Sequence, residues 1–158
     1  MKKERNTNMK IEYGDLFEKP GYNDGICVTT NGVIKNNGKA VMGAGIALEF
    51  DKRFDLAGIL GKKIFENGNH AYFLKQALSN TGLYKIFSFP TKEHWKNDAD
   101  IEIIKRSCHE LVELCHKYDV YKCYFPAPGC GCGNLDLKHV IEEISAILDD
   151  RFILVLKE

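Results

Sequence analysis

Two glycine clusters interrupt an otherwise ordinary pattern of apolar residues. The first, Gly43–Gly45, lies in the stretch GKAVMGAGIALEF, and the second is the alternating series GCGCG from Gly129 to Gly133. A glycine inside a helix costs roughly 1 kcal/mol relative to alanine, so each cluster requires a use for bare backbone. Successive N–H groups at the positive end of a helix bind anions, and a diphosphate would fit a pair of such loops.

Neither cluster matches a nucleotide-binding fingerprint, because both G-x-G-x-x-G and G-x-x-x-x-G-K-[ST] are absent from the sequence. Two tight turns are the alternative explanation for the same glycines. The residues alone therefore predict a small phosphate-containing ligand and do not name it.

The six cysteines do not form a metal site by their spacing. No C-x-x-C pair occurs, which favours reduced thiols in a cytoplasmic protein. Cys108 and Cys115 would be about 10.5 Å apart along a helix, whereas zinc holds its sulfur ligands at about 2.3 Å. We expect neither a metal nor a cofactor.

Composition predicts one globular domain over residues 1–158, with a core of about 9–156 and residues 1–8 as a flexible extension. The chain is 44% hydrophobic and 28% charged, with 22 basic and 22 acidic side chains. No net field attracts nucleic acid or an anionic membrane, so any contact with a modified nucleic acid is expected to be local. No stretch approaches about 18 apolar residues, and we expect a monomer without a membrane partner.

Strand-like and helix-like segments alternate along the chain. Aromatic and β-branched residues predict strands at Met9–Gly14, Gly25–Thr30, His70–Gln76, Tyr84–Pro90, Tyr121–Pro126 and Arg151–Leu156. Apolar residues three and four apart predict helices at Gly45–Phe54, Leu56–Glu66, Ala99–Tyr118 and Leu137 to about Asp149, the last with Asp136 as its N-cap.

This order predicts a mostly parallel sheet with helices on both faces, whose ligands bind at the carboxyl ends of the strands. Three unusual loops fall at those ends. They are TTNGVIKNNGKAVMGAG after the second strand, PTKEHW after the fourth, and PAPGCGCGNLD after the fifth.

Four motifs, in the order YGDLF, TNG, VMGAGIA and PAPGCGCGNLDL, resemble those of a macro domain, the fold that binds ADP-ribose. The resemblance covers about Met9 to Leu156. It implies an α/β fold of three layers, α/β/α, around a mixed and mostly parallel sheet. It also implies that Asp15 accepts a hydrogen bond from the adenine amino group. The implied ADP-ribose-binding residues are Asp15, Leu16, Asn31, Met42, Gly43, Ala44, Gly45, Ile46, Pro128, Gly129, Cys130, Gly131, Cys132, Gly133 and Asn134.

The segment FPTKEHW together with GCGCGNLDL is most similar to the branch of ADP-ribosyl glycohydrolases that act on DNA or protein with a lysine. The resemblance implies that Lys92 and Asn31 are catalytic. Lys92 would stabilise charge on the leaving group as an ammonium, or attack the anomeric carbon as an amine. Asn31 would lie near the distal ribose, with a role in a turn as its alternative.

The sequence departs from that branch at Gly133, where some members have an aspartate that completes the reaction. This difference favours a mechanism in which Lys92 and Asn31 position substrate and water. Phe152 is a candidate to stack on adenine, and Trp95 either packs under its loop or presents a face to a nucleobase. The same pocket would serve a phosphatase acting on ADP-ribose 1″-phosphate, or a reader module that binds ADP-ribose without turnover.

Overall fold

A six-stranded sheet forms the middle of the computed structural model, which describes residues 8–157. The predicted N-terminal extension therefore lies almost entirely outside the described residues. The strands are β1 (Lys10–Tyr13), β2 (Gly25–Thr30), β3 (Phe73–Ser79), β4 (Gly82–Pro90), β5 (Cys123–Pro126) and β6 (Phe152–Leu156). The helices are α1 (Gly45–Phe54), α2 (Ala57–Asn67), α3 (Ile101–Lys117) and α4 (Leu137–Ser145), with a short 3-10 helix at Leu16–Glu18.

The strand order is β1-β6-β5-β2-β4-β3. Every neighbouring pair is parallel except β3 and β4, which form an antiparallel hairpin at one edge. The mixed, mostly parallel sheet predicted from the sequence is confirmed. Because β1, β2, β4, β5 and β6 run in one direction, the loops that follow them all leave the same edge of the sheet.

Helices cover both faces of the sheet, as the alternation of side chains along β2 illustrates. Cys27 packs in a cluster with residues of α3 and α4, such as Ile104 and Val140. Its neighbours Ile26 and Val28 pack in a second cluster with residues of α1 and α2. Successive strand residues point to opposite faces, so both faces are buried and the three-layer prediction is confirmed.

Helix positions agree closely with the sequence predictions. The α1 range Gly45–Phe54 is identical to the predicted one, and α3 is shorter than Ala99–Tyr118 by two residues at the start and one at the end. The predicted cap of α4 is confirmed, since the Asp136 carboxylate accepts a hydrogen bond from the His139 N–H at 3.1 Å. The predicted extension to Asp149 is wrong, because α4 ends at Ser145.

The prediction for β3 is wrong at both ends. The strand begins at Phe73 rather than His70, because the Ala71 N–H donates to the Glu110 carboxylate of α3 at 3.0 Å instead of to a neighbouring strand. It continues to Ser79 because a tight turn returns the chain into β4 from Gly82. Among residues 8–157, no helix is both long and apolar enough to cross a membrane.

Candidate functional site

The loops after β2, β4 and β5 meet at the carboxyl edge of the sheet. The loop after β2 contacts the one after β4, because the Gly32 N–H donates to the Glu93 carbonyl at 2.8 Å. The loops after β4 and β5 are joined by a hydrogen bond from Asn134 Nδ2 to Asp98 Oδ1 at 3.0 Å. The three loops singled out in the sequence are therefore adjacent in the fold.

The glycine segment Gly43–Gly45 leads directly into α1. Ala44 occupies the N-cap in an extended conformation, and no side chain caps the first N–H groups of the helix. Gly45 has φ +57°, a left-handed conformation that favours glycine, while a Cβ at Gly43 would meet no atom of residues 8–157 within 4 Å. The segment thus presents uncapped N–H groups beside open space, which is the arrangement that anions bind at helix N-termini.

The glycines of the last loop have two different roles. A Cβ at Gly133 would lie 2.6 Å from the Gly129 carbonyl and 2.7 Å from Ala99 Cβ, and one at Gly129 would also meet Ala99 at 2.7 Å. Both positions are therefore closed by packing against the segment that precedes α3. Gly131 is exposed, and a Cβ there would meet nothing within 4 Å. Among the three, only Gly131 has the open surroundings that a ligand needs.

Lys92 is nearly buried, with 9% of its surface exposed. Its Nζ donates to the Asn97 carbonyl at 3.0 Å, to the Trp95 carbonyl at 3.4 Å and to the Cys132 carbonyl at 3.5 Å. These three acceptors match the three hydrogens of an ammonium group. The side chain joins the loop after β4 to the last glycine loop.

Residues that the sequence did not single out hold the Lys92 backbone. Asn69 Nδ2 donates to the Lys92 carbonyl at 3.1 Å, and Arg106 of α3 donates to the Asn69 carbonyl. Arg106 also lies beside Glu110, which accepts from His70 and from the Ala71 backbone. No local pattern identifies Asn69, since it follows Asn67-Gly68 in an ordinary turn sequence and its partners are distant in the chain.

Asn31 uses its amide to shape the loop after β2. Its Oδ1 accepts from the Val33 N–H at 2.9 Å, and its Nδ2 donates to the Val41 carbonyl at 3.1 Å. This is the turn role given as the alternative to a ligand contact. An amide carries two hydrogens on Nδ2, so one donor position remains beyond these two bonds.

Asp15 lies directly after β1, where its Oδ1 caps the 3-10 helix by accepting from the Phe17 N–H at 2.9 Å. The residue is exposed, and no residue within 8–157 donates a hydrogen bond to its second carboxylate oxygen. Leu16 and Met42 are buried in one apolar cluster, so only their backbone atoms are placed to meet a ligand. Ile46, in the first turn of α1, is partly buried.

The last loop closes toward the start of α1. A Cβ added at Gly45 would be 3.7 Å from Cys132 Sγ, so the two glycine clusters face each other. Cys132 and Asn134 are exposed, whereas Pro128 is buried and Cys130 partly buried. The fold thus brings together the segments Met42–Ile46 and Pro128–Asn134. Lys92 is hydrogen-bonded to the second segment, through the Cys132 carbonyl.

The thiols of the five cysteines other than Cys132 are poor candidates for nucleophiles. Burial raises the pKa of the Cys27 and Cys123 thiols, and that of Cys108 to about 12. The pKa of Cys115 is also raised, first by its hydrogen bond to Cys123 and then by burial. Burial, with a smaller effect of Asp136, raises the pKa of Cys130. A raised pKa lowers the thiolate fraction near neutral pH, so these thiols react slowly.

Two aromatic residues behave differently from each other. Phe152 is wholly buried at the start of β6, the end opposite to the loops, so the suggestion that it stacks on adenine is wrong. Trp95 remains 48% exposed, and its ring stacks on His94 with centroids 5.4 Å apart. It does not pack under its loop.

No group of three or more His, Cys, Asp or Glu side chains in residues 8–157 is arranged to hold a metal ion. A cleft of about 600 Å³ opens between the 3-10 helix and the β3–β4 hairpin. None of its lining residues belongs to the loops after β2, β4 or β5. The candidate binding and catalytic residues therefore lie outside this cleft.

Known proteins resemble the chain in sequence at moderate identity. A DNA ADP-ribosyl glycohydrolase of Thermus aquaticus is 28% identical over 144 residues, covering 89% of this chain and 38% of its own length. The Mycobacterium tuberculosis protein of the same description is 27% identical over 107 residues, covering 66% and 30%. The chain thus spans about a third of the length of these relatives. No family model matches it.

Solved structures agree with the sequence comparison. The macrodomain of Thermus aquaticus DarG matches with a TM-score of 0.69 and 27% identity, over 95% of this chain and 98% of its own. Thermosipho africanus DarTG in complex with ADP-ribose matches with a TM-score of 0.75 and 23% identity, over 93% of this chain and 41% of its own. The chain has the α/β fold of a macro domain and is related, at moderate identity, to the DarG DNA ADP-ribosyl glycohydrolases.

Proposed function

We propose that this macro domain binds ADP-ribose between its two glycine clusters and removes it from modified DNA by hydrolysis. The observation that carries the proposal is the position of the Lys92 ammonium. It is nearly buried, and it is bonded to the last glycine loop through the Cys132 carbonyl. Related proteins described as DNA ADP-ribosyl glycohydrolases support the choice of DNA.

The binding step uses backbone more than side chains. Uncapped N–H groups at the start of α1 would bind the diphosphate, and Gly43 and Gly131 leave room for it. The unbonded carboxylate oxygen of Asp15 would accept a hydrogen bond from the adenine amino group. The ligand would thus extend from the loop after β1, over α1, toward Lys92.

The chemical step breaks the bond between the anomeric carbon of the distal ribose and the modified group. A water oxygen bonds to that carbon, and the leaving atom departs with the electron pair and receives a proton. An ammonium beside the leaving atom stabilises the negative charge that develops on it. The Lys92 bonds at 3.4 and 3.5 Å are long for N–H···O, so a substrate atom can replace either acceptor at small cost.

The surroundings of Lys92 favour this electrostatic role over attack by its amine. A nucleophilic amine needs a lone pair directed at the carbon, whereas the Nζ atom is surrounded by three carbonyl oxygens that accept hydrogens. The residue at the family's aspartate position, Gly133, is closed by packing and supplies no second functional group. We therefore infer direct attack by water.

Asn31 would orient the distal ribose or the attacking water with the one Nδ2 hydrogen that its loop bonds leave over. Its carbonyl oxygen already accepts from the Val33 N–H, so the side chain is held in one orientation. A fixed donor of this kind contributes to rate by positioning rather than by charge.

One incubation tests the proposal. The chain is mixed with an ADP-ribosylated oligonucleotide, an ADP-ribosylated peptide and ADP-ribose 1″-phosphate, and the products are identified by mass spectrometry. We expect release of free ADP-ribose from the oligonucleotide. Release of ADP-ribose only from the peptide would indicate that the substrate is a modified protein. Release of phosphate alone would indicate a phosphatase. Binding of ADP-ribose without turnover of any substrate would indicate a reader module.

A further inference from the structure

The tripeptide His94-Trp95-Lys96 lies near Lys92, with Trp95 and Lys96 exposed and His94 partly buried. The Lys96 N–H donates to His94 Nδ1 at 3.1 Å, which fixes the imidazole ring. That ring stacks on the Trp95 indole at 5.4 Å with an angle of 30° between the planes. The Lys96 ammonium is 5.2 Å from the indole centroid. A supported aromatic surface with an adjacent cation therefore faces solvent.

Exposure alone does not distinguish Trp95 from other aromatic residues. Tyr22 and Tyr121, each 71% exposed, and Phe65, 82% exposed, show more of their surface. Single exposed aromatics are common on soluble proteins and need no function. What separates Trp95 is its backbone, whose carbonyl accepts from the Lys92 ammonium at 3.4 Å.

The contact with Lys92 places Trp95 on one side of the proposed reaction. ADP-ribose ends at the anomeric carbon of its distal ribose, and the ammonium would serve the group beyond that carbon. Trp95 is one hydrogen bond from that ammonium, so its exposed side chain is available to the group beyond the anomeric carbon. In a DNA substrate the group beyond is a nucleobase or its neighbour in the strand.

We propose that His94 and Trp95 form a stacking platform for a nucleobase of the modified strand, with Lys96 available to a phosphate. This inference rests on the proposed DNA ADP-ribosyl hydrolase function. Aromatic side chains bind bases of any sequence through their π faces, and the flanking cation meets the backbone. Lys96 is exposed and flexible, so its ammonium can leave the indole without disturbing the His94 support.

The charges of the same loop favour stacking over phosphate attraction as the main contribution. Lys92 and Lys96 are outnumbered by Glu93, Asp98 and Asp100, and the whole chain has equal numbers of basic and acidic residues. A site without net positive charge gains little from counterion release. The platform should therefore determine how well the DNA part of the substrate binds.

Trp95 is the only tryptophan in the chain, so its fluorescence reports on the platform directly. A single-stranded oligonucleotide carrying ADP-ribose on one base is titrated against the wild-type chain in a stopped-flow instrument, so that the emission is read before turnover and the Lys92–Trp95 hydrogen bond is intact. We expect the indole emission to be quenched by this oligonucleotide and not by free ADP-ribose or an ADP-ribosylated peptide. Equal responses to all three, or no response to the oligonucleotide at bound concentrations, would overturn the platform.

Kinetics provide the second measurement. Trp95→Ala should raise KM for the ADP-ribosylated oligonucleotide by about 10-fold or more, change kcat by less than about 3-fold, and leave the Kd of ADP-ribose unchanged. Trp95→Phe should restore most of the affinity, because phenylalanine retains a stacking face. Tyr121→Ala removes an exposed aromatic next to the opposite end of β5 and serves as the matched control.

The outcomes separate the two proposals. If the wild-type protein cleaves the oligonucleotide and Trp95→Ala has an unchanged KM for it, the platform proposal is rejected and the hydrolase proposal stands. Absence of cleavage by wild-type protein would reject the hydrolase, and the fluorescence titration would then decide the platform independently. If Trp95→Ala fails to fold, Trp95→Phe and the titration still test the claim.

Discussion

Lys92 is the residue on which the proposed chemistry depends most. Lysine is rarely buried in proteins unless it has partners, and here three backbone carbonyls supply them. Two of the three acceptors lie in its own loop, and the third lies 40 residues away in the last glycine loop. The ammonium is thus held at the junction of the two loops before any substrate binds, which is the preorganisation that electrostatic catalysis requires.

Replacing Lys92 by alanine should lower turnover of the ADP-ribosylated oligonucleotide by a factor of about 100 or more. Affinity for ADP-ribose should change little, since free ADP-ribose lacks the leaving group that the ammonium serves. The measurement is kcat by mass spectrometry together with the Kd from calorimetry. Lys62→Ala, on α2 with a side chain 78% exposed, is the control. Wild-type turnover in Lys92→Ala would remove the residue from the mechanism.

Asp136 is the nearest carboxylate in sequence to the family's missing aspartate, and it caps α4. Asparagine caps helices as well as aspartate, whereas alanine costs about 1 kcal/mol. We therefore expect Asp136→Asn to be as stable and as active as the wild type, and Asp136→Ala to lose stability alone. Urea denaturation and turnover of the oligonucleotide check this. A loss of about 10-fold or more in turnover in both variants would instead make Asp136 a catalytic group.

The residues with local signals were the ones that could be predicted from the sequence. Asp136 is recognisable because a cap immediately precedes its helix, whereas the interest in Lys92 came from the resemblance to the glycohydrolase branch together with its position after a strand at the ligand edge. The contacts of Lys92 were not predictable, since its acceptors are backbone carbonyls whose positions depend on the tertiary fold. Asn69 lacked any signal for the same reason, because its role arises from contacts with Lys92 and Arg106.

At the level of elements, the start of α1 is the part that we propose binds the diphosphate. Its N-cap is Ala44, which supplies no side-chain acceptor, although serine, threonine, aspartate and asparagine are strongly preferred there. Within residues 8–157, no side chain caps the N–H groups with which the helix begins. A bound anion would satisfy them.

Gly43→Val should abolish ADP-ribose binding while leaving the fold intact. A Cβ at Gly43 meets no described residue within 4 Å, and we propose that the diphosphate occupies this space. Gly58→Val is the matched control, because a Cβ at Gly58 of α2 also meets nothing within 4 Å. Calorimetry with ADP-ribose and a thermal melt measure the two effects. Equal binding by both variants would place the diphosphate elsewhere.

The last loop offers a second matched pair. Gly133→Ala forces a Cβ against the Gly129 carbonyl and Ala99, so it should cost about 1–3 kcal/mol of unfolding free energy. Gly131→Ala adds a Cβ in open space and should stay within about 0.5 kcal/mol of the wild type. The urea midpoint of each variant measures the difference. Similar midpoints for the two variants would contradict the packing assigned to Gly133.

Elements with strong periodicity were predicted well, and those shaped by partners were not. The α1 range was correct at both ends because its apolar pattern and preceding glycines mark the start. The β3 range was displaced because Glu110 of α3 captures the backbone at Ala71, and a hairpin turn extends the other end. The apolar pattern within a segment predicts neither the contact with Glu110 nor the hairpin turn.

At the scale of the whole molecule, the balance of charge limits how substrates are recognised. With 22 basic and 22 acidic side chains, the domain has no general attraction for DNA. Recognition of a substrate would therefore depend on the proposed ADP-ribose site and on the few residues beside it. A domain of this kind would bind a modified strand through its modification first and through the strand second.

The central claim is that the carboxyl edge of the sheet forms a ready ADP-ribose site. Its most direct test is calorimetric titration of ADP-ribose into the wild-type chain. We expect one site with a micromolar Kd, about 8 kcal/mol of binding free energy. Absence of binding heat and of competition at millimolar ADP-ribose would contradict the account.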